Sequence, residues 1–190
     1  MFTIKLNPNL EMSTKTEKIT LWVLGLSTLA LFIFISVLDQ PLKTVAAPNG
    51  IVSFELAGGI EQSQKILSSW DHQARLSAIQ SLVADYMFLI AYSFFFAFLI
   101  WSLSKYFIEK RKDSLVKIGI ILGWLQFVAA IFDSFENYFL LRIIFGSQNP
   151  AYPEYAFYFA LLKFLIILLG LGYIVLGLVA RFNSDKKVPE

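Results

Sequence analysis

The run GIILGWLQFVAAIFDSFEN, residues 119–137, decides how the chain is read. Its small and polar members are Gly119, Gly123, Gln126, Ala130, Asp133 and Asn137. They step by four, three, four, three and four, which on an α-helix is one continuous seam. Glu136 stands three residues after Asp133 and borders the seam. Apart from Ala129 and Ser134, everything else in the run is a large apolar or aromatic residue. Such a helix turns its seam to a protein interior and its flanks to lipid. Carboxyls inside an apolar segment are costly, so Asp133 and Glu136 need partners or a task.

Working outward, three more apolar runs appear. Residues 19–38 carry no charge and have the roughly 20-residue length that crosses about 30 Å of hydrocarbon. A cleaved signal peptide is the competing reading, since Val45-Ala46-Ala47 resembles a cleavage site. The run exceeds the usual apolar core of about 7–15 residues, and Pro48 suits that cut poorly. A retained first span is expected. The second span is placed at 82–104, the third at 116–141 and the fourth at 156–180. The expected fold is all-α, an integral membrane four-helix bundle forming one domain over 19–180. Tails at 1–18 and 181–190 complete it.

Composition agrees with that class. The 190 residues are 57% hydrophobic and 16% charged, with 19 Phe, whereas soluble domains average roughly 45–50% apolar and about 25% charged. A net charge of +2 gives no basic footprint for nucleic acid. With no cysteine and one histidine, disulfides and thiol nucleophiles are excluded, and no metal site is expected. No phosphate loop, nucleophile elbow or cofactor motif occurs.

The 39–81 connection is expected outside the cell as an amphipathic cap. Leu56, Gly59, Ile60, Ile66, Leu67 and Trp70 recur at helical spacing among Glu55, Glu61, Gln62, Gln64 and Lys65. Leu56, Ile60 and Leu67 are expected to face the bundle or bilayer. Gly58-Gly59 can bend this helix, and Asp71 is the expected N-cap of the next. Eleven basic residues fall in the two tails and the 105–117 loop, against four in the two other loops. By the positive-inside rule both termini are cytoplasmic.

That orientation brings scattered charges to one depth. Asp85 lies one turn into the inward second span. Asp133, Glu136 and Asn137 lie in the last turns of the outward third span, and Lys163 about two turns down the fourth. Tyr92, seven residues after Asp85, shares its face. The candidate ligand-binding set is therefore Glu55, Asp85, Tyr92, Asp133, Glu136, Asn137 and Lys163, in the outer half of the membrane. Three readings of it stay open. One is an ion-paired plug, with Lys163 on Asp133 or Glu136, and Arg75 or Arg142 on Asp85. The second is an outer-leaflet pocket that binds a ligand or, as a small lipid-directed enzyme, uses Asp85, Asp133 and Glu136 for catalysis. The third is a proton or ion path, for which Gln126 is the sole polar side chain further along the seam.

Phe54-Glu55-Leu56-Ala57, Trp70, Asp85-Tyr86 and Asp133-Ser134-Phe135-Glu136-Asn137 with Leu140-Leu141 resemble small bacterial four-span membrane proteins with an Asp-x-x-Glu-Asn third span. The resemblance implies a bacterial cytoplasmic membrane and carries no activity with it. The expected role is a membrane-embedded binding or assembly protein. Its partners are membrane lipid and, as alternatives, another membrane protein or a hydrophobic small molecule.

Overall fold

A computed structural model describes residues 14–185, and the tails expected at 1–18 and 181–190 lie mostly outside them. The helices are α1 (Thr14–Leu38), α2 (Ile51–Glu55), α3 (Ile60–Ser69), α4 (His72–Glu109), α5 (Asp113–Ile144) and α6 (Ala151–Asp185), with one 3-10 turn at Gln40–Leu42 and no strand among the described residues. Helices α1, α4, α5 and α6 are long and apolar enough to cross a membrane. The chain is a four-helix membrane protein.

Helix α5 buries the seam that its spacing predicts. Gly119, Gly123, Gln126, Ala130, Asp133 and Asn137 are all covered, and Glu136 is wholly buried beside them. The opposite faces, with Ile121, Trp124, Ile131 and Phe135, are exposed to the surroundings that lipid fills. Helix α6 carries a matching stripe through Ala156, Ala160, Lys163, Ile166, Gly170, Tyr173 and Gly177. Alternating steps of three and four place Lys163 in that stripe and point it inward.

Helices α4, α5 and α6 pack mutually, while α1 packs chiefly on α4 and barely meets α5 or α6. Glycines let the three inner helices close up. A Cβ at Gly119 would collide with Ser104 Oγ and Tyr173 OH, and one at Gly123 with the Trp101 indole. The Ser104–Tyr173 hydroxyl pair, 2.9 Å apart, crosses at Gly119, and Tyr173 OH lies 3.1 Å from Leu115 O.

Between α1 and α4 the expected single helix from Ile51 to Trp70 is two pieces, α2 and α3, parted at Gly58-Gly59. Gly58 has φ +68°, a conformation that favours glycine over any other residue. The break rotates the apolar face. Leu56 is exposed, and Ile60 and Leu67 are only partly covered, while Phe54, Ile66 and Trp70 are buried with Leu42, Leu82, Leu140 and Ile143. Of the residues at helical spacing, Ile66 and Trp70 are core and Leu67 packs against it, while Phe54 joins the core without having been part of that pattern. Trp70 Nε1 donates to Leu42 O at 2.8 Å, which ties α3 to the chain entering α2. Asp71 caps α4, accepting from Ala74 N at 2.7 Å.

Candidate functional site

The charged residues of four helices meet between two apolar layers. Towards α2 and α3 lies the cluster around Phe54, Trp70 and Leu140; on the other side lie Leu89, Tyr92 and Ala130. Asp133 is held twice. Lys163 Nζ donates to its Oδ1 at 2.7 Å, and Tyr92 OH donates to its Oδ2 at 3.0 Å. Lys163 also stands 2.8 Å from Glu136 Oε2 and 3.7 Å from Glu55 Oε2. Neither Glu136 oxygen receives a hydrogen bond, nor does Glu55 Oε2. Asp85 Oδ2 accepts from Asn137 Nδ2 at 2.6 Å. Five of the candidate residues, Glu55, Tyr92, Asp133, Glu136 and Lys163, are joined around one ammonium that faces three carboxyls, and the other two, Asp85 and Asn137, form a separate pair.

Each element contributes for a local reason. The i, i+3, i+4 spacing of Asp133, Glu136 and Asn137 puts all three on one side of α5, aimed at both α4 and α6. Asp85 stands in the gap of the α4 stripe between buried Leu82 and Leu89, partly exposed to a cavity. Glu55 arrives on α2. Its position depends on Gly50, with φ +58°, and on Asp39, whose Oδ1 accepts from Ile51 N at 2.6 Å. That bond fixes the first turn of α2 and turns Ile51 and Glu55 inward.

The pairing partly departs from the expected plug. Asp85 is paired with neither Arg75 nor Arg142. Arg75 instead donates to Leu67 O and Trp70 O, and Arg142 stacks over the Tyr152 ring. Both guanidiniums stay at the end of the bundle, where their long side chains reach nearer acceptors, and the neutral Asn137 amide serves Asp85.

A cavity of about 270 Å³ opens beside the group. Glu55, Asp85, Asp133, Asn137 and Lys163 line its polar side, and Tyr92 joins them to an apolar wall. That wall comes from Phe32 and Ile35 of α1, Phe88 and Phe96 of α4, and Phe164 and Ile167 of α6. Sequence reasoning missed the α1 share, because that helix carries no charged residue at this depth to mark its register. Beyond the cavity the seam continues with Gln126, wholly buried, whose Nε2 bonds Leu122 O at 3.2 Å and whose Oε1 has no partner. Among the described residues no group of three or more His, Cys, Asp or Glu is arranged to hold a metal ion.

No protein-family model, curated protein or solved structure shows a significant match to this chain.

Proposed function

We infer that the chain is a membrane-embedded binding protein that takes an amphiphile into this cavity from the outer leaflet. The observation that carries the reading is the cavity's two-sided lining. A charged, hydrogen-bonding floor meets an aromatic and aliphatic wall, the form of a site that fixes a polar head and shelters an apolar body. A plug built only to lock helix register has no use for a cavity beside it. The excess of basic residues in the 105–117 loop, at the far end of the bundle, supports a cytoplasmic position for that end. The cavity then lies in the outer half, with both termini inside. The gap between α1 and α6 gives lipid-side access, since those helices scarcely touch.

The test is native mass spectrometry of the full chain released from detergent. One amphiphile per protein is expected to remain bound. Val52→Trp, which fills the cavity from α2, should abolish retention while leaving the helical content unchanged. A wild-type chain that never carries a bound amphiphile would refute the reading.

A further inference from the structure

We propose that the head of the bound amphiphile is an organic cation, an alkylammonium group seated between Glu55 and Asp85. This rests on the binding reading above and names the chemistry of its ligand. Asp133 and Glu136 share Lys163 at 2.7 and 2.8 Å. Of the other two carboxyls on the cavity, Asp85 has no cation at bonding distance and Glu55 has only the most distant share of Lys163. Glu55, with its side chain nine-tenths buried, lies 3.7 Å from Lys163, and its Oε2 has no hydrogen-bond partner. Asp85 has only the neutral Asn137 amide. Buried carboxylates whose counter-charge is absent or shared with two other acids are expensive, and a ligand ammonium brings both the charge and up to three N–H donors.

The wall agrees with that assignment. Phe32, Phe88, Tyr92, Phe96 and Phe164 line the same space, and aromatic faces attract cations. An anionic head would meet three carboxyls and a lysine already engaged by acids. A neutral head would leave Glu55 and Asp85 as they stand. Size decides where the chain goes. At about 270 Å³ the cavity is just under the roughly 300–1,000 Å³ of whole-ligand sites. It holds a head and the first carbons, and the remaining chain leaves through the gap between α1 and α6.

Such a nitrogen can come from a free alkylamine or from an ethanolamine lipid headgroup. The experiment uses the full chain in phosphatidylglycerol nanodiscs and follows its melting temperature. Dodecylamine, dodecanol and dodecanoate are titrated in parallel, with phosphatidylethanolamine doped into a separate set of discs. A saturable rise with dodecylamine, at least about tenfold more potent than with the other two, is expected. Glu55→Gln and Asp85→Asn should each weaken it about tenfold or more, the usual cost of losing one charged hydrogen-bond partner. Saturation by phosphatidylethanolamine, weakened by the same variants, assigns the nitrogen to a lipid. If Glu55→Gln fails to fold, Asp85→Asn on the rim gives the same reading. Equal response to all three dodecyl probes would overturn the cation and leave the binding reading standing. Amine effects untouched by either substitution would also overturn it, and no saturable response to any probe would overturn both.

Discussion

Lys163 Nζ stands 2.7 Å from Asp133 Oδ1, joining α6 to α5 across the centre of the bundle. Both side chains are almost fully buried. Their mutual attraction offsets desolvation costs that neither residue could carry alone, so the pair adds little net stability while each member depends on the other.

That dependence gives the first prediction. Lys163→Met leaves Asp133 and Glu136 without their counter-charge and should destabilise the fold by about 3–5 kcal/mol, the usual cost of breaking a buried pair from one side. Adding Asp133→Asn removes one stranded carboxylate and keeps an acceptor for Tyr92, so part of the loss should return. Unfolding in detergent measures both. A silent Lys163→Met would mean that the ammonium reaches the interface rather than the acids.

The second prediction separates close packing from mere glycine content. Gly119→Ala places a methyl against Ser104 Oγ and Tyr173 OH, and the crossing of α4, α5 and α6 must open to admit it. A loss of about 1–3 kcal/mol is expected from overpacking. Gly172→Ala is the control, because nothing lies within 4 Å of its added Cβ. It should change stability by no more than about 0.5 kcal/mol. Equal effects at the two positions would remove the steric account.

These residues also show how far the chain was legible before its structure. Spacing alone identified the α5 seam, because a helix's period converts sequence directly into a face. Counting turns from the ends of the apolar runs was enough to bring Asp85, Asp133 and Lys163 to one depth. Across the Gly58-Gly59 interruption the same method reached the buried Ile66 and Trp70 but not Phe54. Pairings were legible only when reach was short. Lys163 had acids alone at its level, whereas Arg75 and Arg142 had backbone carbonyls or a tyrosine ring nearer than Asp85. Tyr173 was missed altogether, although Gly119 signals that something bulky crosses there. The wall supplied by α1 left no trace, since a span without charged residues or a seam of small ones gave no register to read.

The last prediction concerns orientation. Lys105, Lys110, Arg111, Lys112 and Lys117 gather around the α4–α5 turn, while α2 and α3 lie at the opposite end of α4. Charge bias in a short loop is the strongest orienting signal a multi-span chain carries, because basic residues resist transfer out of the cytoplasm. Reporter fusions after Lys112 and after Gly50 should therefore report opposite sides. A cytoplasmic fluorescent reporter is expected to be active after Lys112, and a phosphatase that needs export after Gly50. Both reporters active on the same side would break the four-span arrangement. The reverse pattern would keep the bundle and move the cavity to the inner leaflet, where its amphiphile would have to come from the cytoplasmic face.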